Sequence, residues 1–156
     1  MSDIFKKMLV AMSGSESSEA AAEMGIKLAK VHQAQLSLVY VVDTGLVAGM
    51  ARLMGRPEEQ VMADMESSGL AVLRRGEHLA KQGGIRATSV LRRGSPPLEI
   101  VAEAVNWRAD LILLGSTYLV GPHPPSLGRV VERVIEHSDC PVLVVRHRVQ
   151  SGVTLV

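Results

Sequence analysis

The sequence predicts an α/β domain with an open, parallel five-stranded sheet and helices on both faces. Five short apolar runs, rich in β-branched residues or leucine, have the length of buried strands: residues 8–12, 35–42, 87–91, 111–114 and 142–145. Four stretches with helical spacing of apolar residues alternate with them: residues 17–32, 61–81, 98–107 and 127–137. This alternation favours parallel strands that are joined by helical crossovers.

Length and composition predict one globular domain. The chain has 156 residues, of which 47% are hydrophobic and 21% charged, a balance typical of a domain that folds alone. Only 3% are aromatic, so aliphatic residues and methionine must fill the core. We expect the domain to span residues 1–148, with a C-terminal tail at 149–156 that is frayed or docked on a partner.

Charge and cysteine content argue against several classes of protein. The 17 basic and 16 acidic residues give a net charge of +1 and form no basic patch for nucleic acid or anionic lipid. No apolar run has the length of a signal peptide or a membrane span. The single cysteine, Cys140, cannot form an internal disulfide, and no Cys/His cluster predicts a metal site. We expect a soluble, cytoplasmic protein without metal.

Two segments interrupt the regular alternation. Residues 43–57 are apolar but contain glycines, which indicates a mobile loop or a short helix over the sheet edge. Within it, residues 44–57 could form a surface for a protein partner, although a helix folded over the protein's own pocket is favoured. The apolar residues concerned are Leu46, Val47, Met50, Leu53 and Met54. Residues 116–126 are rich in proline and predict a long functional loop.

The strand ends carry candidate ligand-binding residues. In open parallel sheets, ligands bind beyond the carboxyl ends of the strands, where the strand order reverses. Glycines in such turns let backbone amides approach an anion, and a helix N-terminus adds its dipole. The residues expected around this crevice are Ser13 and Gly14 after the first strand, Val41, Val42 and Asp43 after the second, Gly115 and Ser116 after the fourth, and Gly128.

Several sequence blocks, which together cover nearly the whole chain, resemble the universal stress protein family. They are residues 8–12 followed by Gly14-Ser15, residues 38–43, 93–96 and 109–116, and residues 128–135 running into 140–146. The resemblance implies the adenine-nucleotide α-hydrolase-like fold with strand order 3-2-1-4-5 and a stress-response or regulatory role. It also implies a homodimer formed largely through the last strand, by Val142, Leu143, Val144 and Val145.

The resemblance also bears on the nucleotide pocket. ATP-binding members share a signature of Gly, two residues, Gly, nine residues, Gly, then Ser or Thr. Gly115 and Gly128 match the first and third glycines at that spacing. Tyr118 stands in place of the second glycine, Arg129 in place of the hydroxyl residue, and Ser13 in place of an acidic residue of the first turn. The resemblance therefore implies a degenerate pocket.

These positions have alternative interpretations. Tyr118 removes a site that can adopt positive φ, and we expect its ring to fill or lid the pocket. Arg129 could grip a phosphate or lie solvated at the helix start. Ser13 keeps a hydrogen-bonding group, and its turn could contact a ligand, cap the helix, or do both. Gly115 could serve a ligand or the close packing of its strand.

The favoured hypothesis is a homodimeric, non-enzymatic stress-response domain with weakened or lost ATP binding. The sequence contains no nucleophile elbow, no Walker motif and no catalytic constellation. No cofactor is required, although ATP or another adenine nucleotide is a candidate ligand. The first alternative is a working adenine-nucleotide site with at most slow hydrolysis, in which Arg129 holds phosphate. The second is an interaction module built on residues 44–57.

Overall fold

The computed structural model describes residues 4–120 and 127–150. Within these ranges the strands are β1 (Lys7–Met12), β2 (Gln35–Asp43), β3 (Ala87–Gly94), β4 (Leu111–Val120) and β5 (Val142–Gln150). They pair in parallel in the order β3-β2-β1-β4-β5. The predicted fold class and strand order are confirmed.

The strands are connected through helices. Within the described ranges these are α1 (Glu16–His32), α2 (Thr44–Met54), α3 (Glu58–Gln82), α4 (Pro96–Trp107) and α5 (Arg129–His137). Four of them match the predicted helices, and α2 occupies the segment for which a loop or a short helix was expected. None of these helices is long and apolar enough to cross a membrane.

The helices cover both faces of the sheet. On one face, α1 and α3 pack over a core that includes Met8 and Val10. On the other face, α4 and α5 pack around Leu9 and Ile112. Since side chains alternate between the faces of a strand, the central strand β1 is buried on both sides, and Met8, Leu9 and Val10 are fully buried. Burial stabilises the fold by about 2 kcal/mol for each such side chain.

Strands β4 and β5 are longer than predicted. Residues 115–120 pair with residues 145–150 as a two-stranded ribbon that extends past the end of β1. The loop expected at 116–126 is therefore strand over its first residues, and that part of the prediction was wrong. The ribbon carries exposed polar residues such as Thr117 and Arg148, so it lacks the unbroken apolar run that marks a buried strand.

The predicted loop and tail are described only in part. β5 ends at Gln150, two residues past the expected domain end at 148. The remaining parts of the predicted loop, 121–126, and of the tail, 151–156, lie outside the described residues.

The segment after β2 forms a helix with defined caps. The Asp43 carboxylate accepts hydrogen bonds from the amides of Gly45 and Leu46, at 3.0 and 3.2 Å, and so caps α2. At its other end, Gly55 adopts a left-handed conformation with φ of 62°, which glycine favours. The short-helix alternative is confirmed, and Asp43 serves as a helix cap.

Helix α2 lies beside α3 and covers the ends of β2 and β3. Its buried residues Val47 and Ala51 pack with Val42 and Val61. The outer face of α2 exposes Leu46, Leu53 and Met54. A position over the ligand pocket is not observed, because α2 contributes no residue to the cavity described below. That residues 44–57 bind a protein partner stays a prediction.

A partly buried ion-pair network fixes α4 to β3. Arg92 donates hydrogen bonds to Glu99 Oε1 and Glu103 Oε1, both at 2.9 Å. Glu103 is only 4% exposed, and its charge would be costly there without a cation. The hydrogen bond to Glu99, supported by Glu103, raises the pKa of the Arg92 guanidinium above its ordinary value. The network holds α4 against the sheet, where this helix forms a wall of the cavity.

Replacing Arg92 with methionine should leave the Glu103 carboxylate buried without its cation. We expect the free energy of unfolding, measured by urea denaturation, to fall by about 2 kcal/mol. Fully buried pairs cost more, but the Arg92 side chain is 27% exposed. Arginine is protonated at pH values of about 7 and about 9, and the raised pKa of Arg92 moves its titration further from this range. The loss should therefore be equal at about pH 7 and about pH 9.

The matched control is Arg93→Met. Arg93 pairs with Glu66 through a side chain that is 58% exposed, so the loss should be under about 1 kcal/mol. Equal destabilisation by the two variants would contradict a special role for Arg92.

Candidate functional site

A crevice forms at the carboxyl edge of the sheet because β1 is shorter than its neighbours. β1 pairs with β2 as far as Met12 and Tyr40, and with β4 only as far as Val10 and Leu113. β2 and β4 continue beyond these pairs with a partner on their outer sides alone. Backbone donors and acceptors on their inner edges therefore face the space above the end of β1. The strand order reverses at this point, as expected for a binding site.

A cavity of about 250 Å³ lies in the crevice, between the sheet and the helices α4 and α5. Its volume is slightly below the roughly 300–1,000 Å³ typical of pockets for drug-sized ligands. Ala11 lies on the sheet side of the cavity, next to its β2 neighbour Val39. The small side chain at position 11 leaves room that a larger residue would occupy.

The walls of the cavity are predominantly apolar. Strands β2 and β4 and helices α4 and α5 contribute the side chains of Val39, Val41, Leu114, Ile100 and Val131, among others. Ser13 and Ser18 bring hydroxyl groups, and no charged side chain lines the cavity in the part of the chain that the structure describes. Such a surface suits a small, largely apolar ligand that a few polar groups orient.

Serine side chains form a hydrogen-bond network at the polar end of the cavity. Ser15 Oγ accepts from the Ser18 amide at 3.2 Å and caps α1. Ser18 Oγ donates to the Ser15 carbonyl at 3.0 Å and accepts from the Ser13 amide at 3.1 Å. The hydroxyl oxygens of Ser13 and Ser15 are 2.8 Å apart. The capped turn is thus confirmed, and Ser13 also lines the cavity.

Gly115 brings β4 into contact with the backbone of α1. A Cβ atom at this position would overlap the carbonyl group of Ser17 and would lie 2.7 Å from the Ser18 nitrogen. A side chain can change its rotamer to avoid a clash, but backbone atoms of a helix cannot. A larger residue at position 115 would therefore displace the helix or the strand. The close-packing interpretation of Gly115 is therefore confirmed, and the residue also lines the cavity.

Three other residues predicted from the first two strand ends lie away from the cavity. Gly14 has a φ of 84°, and a Cβ there would lie 3.1 Å from the Val72 side chain, on the α3 side. Val42 is fully buried beneath α2, and Asp43 caps that helix. Val41 alone of the predicted β2 residues lines the cavity, because its neighbour Val42 points to the opposite face.

Ser116 and Tyr118 belong to the ribbon and not to a turn. Ser116 Oγ donates to the Leu127 carbonyl at 2.7 Å and so ties the start of the last crossover to β4. The Tyr118 ring lies under the guanidinium of Arg146, 4.4 Å from the ring centroid. Tyr118 does not line the cavity, so the expectation that its ring fills or lids the pocket was wrong. A residue within a strand needs no positive φ.

Gly128 and Arg129 lie at the start of α5. Gly128 is the N-cap residue, with a φ of 95°, a conformation in which a side chain would be strained. Arg129 is exposed, and the next two residues, Val130 and Val131, line the cavity in its place. The structure thus brings Ser13, Val41 and Gly115 together, while Arg129 lies outside the lining.

Sequence reasoning missed most of the apolar lining. The residues concerned are Ala11, Val39, Pro96, Ile100, Val130 and Val131. A signal for the strand residues was available, since Ala11 and Val39 are paired in register and side chains two residues apart share one face. The residues from α4 and α5 could not be located, because they depend on how these helices cross the sheet.

The predicted dimer strand is an edge strand of the sheet. β5 pairs with β4 on one side, and its other edge has no strand partner within the described residues. Val142 and Val144 pack on the α4 and α5 side, and Leu143 and Val145 on the α1 and α3 side. All four are half-buried.

Comparison with known proteins gives consistent results. Residues 4–146 match the model of the universal stress protein family. Universal stress protein YxiE of Bacillus subtilis is 32% identical over 92% of this chain and 100% of that protein. Universal stress protein UspA from Lactobacillus plantarum is 23% identical, with a TM-score of 0.75 over 91% of this chain and 98% of that one.

A universal stress protein from Archaeoglobus fulgidus, solved in complex with dAMP, has the same fold. It is 18% identical, with a TM-score of 0.65 over 91% of this chain and 98% of that one.

The contact at Gly115 makes a sharp prediction for stability. Gly115→Ala should lower the free energy of unfolding by about 3 kcal/mol, because the added methyl group meets backbone atoms of α1. The matched control is Gly49→Ala in α2, where a Cβ meets nothing within 4 Å. This control should raise stability by about 0.5–1 kcal/mol through helix propensity. A neutral Gly115→Ala variant in urea denaturation would contradict the close contact.

Proposed function

Because the chain belongs to the universal stress protein family, we propose that it is a homodimeric stress-response domain with a degenerate nucleotide site. In this proposal the cavity holds an adenine-type ring, while its grip on the phosphates of ATP is weak. The observation that carries the proposal is the cavity itself, which lies at the strand-order reversal and has apolar walls. Its position and chemistry suit the ring, and its surroundings do not suit a triphosphate.

The ring would be held by apolar contacts and backbone hydrogen bonds. Val41 and Ile100 offer apolar surface on two sides of the cavity. Beyond Tyr40, β2 has a strand partner only on its β3 side, so its inner edge has backbone groups available for the edge of a purine. The fit of an adenine nucleotide to this fold is supported by the relative from Archaeoglobus fulgidus, which was solved with dAMP.

The phosphates would find little support. Tyr118, at the position of the second signature glycine, is part of a strand and its ring lies against Arg146. Arg129 lies outside the cavity lining, so a role in holding phosphate would require it to reorient. We propose that ATP is bound weakly and that the protein is not an enzyme, with slow ATP hydrolysis as the alternative.

The homodimer would form along β5. An edge strand presents a row of unpaired backbone groups, which natural proteins cover or pair. In β5 the residues Val142, Leu143, Val144 and Val145 are half-buried and follow one another without a charge that would discourage pairing. A second copy of the chain would extend the sheet there. The balanced charge and the single cysteine agree with a cytoplasmic setting.

Calorimetric titration tests the ligand site. We expect the dissociation constant for ATP to be larger than about 10 μM, which corresponds to a binding free energy smaller in magnitude than about 7 kcal/mol. In the variant Ala11→Leu, a larger side chain fills the space beside Val39, so binding of ATP and of adenosine should be lost. The matched control is Ala71→Leu on the exposed surface of α3, which should bind as the wild type does.

Two results would overturn this proposal. Micromolar or tighter binding of ATP would show that the protein still binds the phosphates. Unchanged binding in Ala11→Leu would show that the ring occupies another part of the molecule. Thermal unfolding of Ala11→Leu and Ala71→Leu checks that each variant remains folded.

Sedimentation tests the proposed dimer. At micromolar concentration we expect a species with twice the 16.7 kDa mass of the chain. A proline at Val144 or Val145 would disturb the outer edge of β5, since proline lacks the N–H that strand pairing needs. Successive N–H groups of a strand point to opposite edges, so at one of these two positions the lost donor faces the outer edge of β5. That variant should sediment as a folded monomer. A wild-type monomer at about 100 μM would overturn the dimer.

A further inference from the structure

We infer that the outer side of α2 and the adjoining start of α3 bind a basic amphipathic helix of a partner protein. The inference gives a partner of stated chemistry to the surface predicted at residues 44–57. It does not depend on the proposed ligand site, because no residue of α2 belongs to the described lining of the cavity. Its support is an exposed apolar stripe, a cluster of methionines beside it and an excess of negative charge around both.

The outer side of α2 is apolar although it faces the solvent. The helical spacing of Leu46, Leu53 and Met54 places them along one side, which we call the apolar stripe. Leu53 is 88% exposed, and the other two side chains are about half exposed. A surface helix usually carries charged residues on this side, whereas the only charged residue of α2 is Arg52. A side chain as exposed as Leu53 adds little to the core of its own domain, so its apolar surface is available for burial against another molecule.

Half of the eight methionines of the chain lie in or beside this stripe. They are Met50, Met54, Met62 and Met65. Met50, Met62 and Met65 are half-buried and pack against the apolar cluster beneath α2, so they continue the apolar surface from α2 onto α3. Flexible thioether side chains adapt to the shape of an apolar partner. Methionine-rich surfaces are therefore suited to binding the apolar face of an amphipathic helix.

Carboxylates lie at both ends of α2. Asp43 caps the start of the helix, and Glu58 and Glu59 open α3 shortly after its end. Both glutamates are exposed, and neither forms an ion pair with another described residue. The cation on α2 itself is Arg52, which is also exposed. Three carboxylates and one guanidinium give the surroundings of the apolar stripe a net negative charge.

The other charged side chains of residues 43–66, and both arginines of β3, form ion pairs. Asp64 pairs with Arg56 at 2.8 Å. Glu66 pairs with Arg93 of β3 at 2.7 Å. Arg92 is engaged by two glutamates of α4 on the opposite face of the sheet. These pairs leave the negative charge at the ends of α2 without a compensating cation, and such a surface attracts a segment that carries basic residues.

Charge and length together select the kind of partner. In a symmetric contact between two copies, the same surface faces itself, so the carboxylates of the two copies would repel each other. An anionic membrane surface would repel these carboxylates as well. With a rise of about 1.5 Å per residue, α2 is about 16 Å long and matches about three turns of a partner helix. A helix with apolar residues on one side and lysine or arginine beside them would bury the apolar stripe and offset the carboxylates.

Fluorescence anisotropy with labelled peptides tests this inference on the whole chain. The probe is a synthetic amphipathic helix of leucine and lysine, and the matched peptide has glutamate at every lysine position. We expect the lysine peptide to bind with a dissociation constant below about 100 μM, as a small interface allows. The glutamate peptide should bind at least about tenfold more weakly, and added salt should reduce this difference.

Substitutions locate the binding surface. Leu53→Gln should weaken binding of the lysine peptide at least about fivefold, because it removes exposed apolar surface from the stripe. The matched control is Val31→Gln on α1, at a side chain that is 79% exposed, which should bind as the wild type does. The double variant Glu58→Gln, Glu59→Gln should weaken the lysine peptide about threefold or more. Its control, Glu23→Gln at an exposed position of α1, should leave both peptides unaffected.

Several outcomes would contradict the inference, whatever the result of the ATP titration. Equal affinity for the two peptides would show that charge does not select the partner. Unchanged binding in Leu53→Gln would place the peptide elsewhere on the molecule. Association beyond a dimer at about 100 μM that Leu53→Gln abolishes would assign the surface to a second copy of the chain. Binding to phosphatidylglycerol vesicles that the same variant abolishes would assign it to a membrane.

Discussion

The carbonyl group of Ser17 occupies the space that a side chain at position 115 would need. This contact lets the first turn of α1 rest directly on β4, next to the end of the shorter central strand. The capped turn, the cavity rim and the start of α1 are thereby fixed with respect to one another. Most other features of the cavity depend on the short separation between β4 and the start of α1, because a helix displaced from the sheet would carry Ser13 and Ser18 away from Leu114.

Two opposing demands meet in the region around this contact. The start of a helix needs hydrogen-bond acceptors and negative charge, and this chain supplies both from within through Ser15, Glu16 and Glu19. An anion-binding site would need the same region to remain unsatisfied. The start of α1 is thus stabilised by serine and glutamate side chains of its own first turn. The described lining of the cavity is predominantly apolar and contains no charged side chain.

The sequence was sufficient for the architecture because the signals for the architecture are local. Buried strands appear in the sequence as unbroken apolar runs. Ser15 and the glycines indicate helix ends, and these signals do not depend on distant residues. The ribbon was missed since its strands are exposed, and their pairing depends on contacts between Ser116 or Tyr118 and a segment about thirty residues away. Ile100 and Val130 were missed for a related reason: helix crossing angles decide which residues face the cavity.

The ribbon formed by residues 115–120 and 145–150 has a consequence for how the protein fluctuates. Gly115 and Ser116 at its base lie against α1 and the Leu127 carbonyl, but the rest projects past β1 as two strands, and two strands are marginally stable by themselves. Opening of the ribbon should therefore cost far less free energy than opening of the sheet centre, where Leu9 and Val10 are buried on both sides. The molecule combines a rigid sheet centre with a local unfolding unit at the carboxyl edge of the sheet, next to the cavity that Gly115 lines.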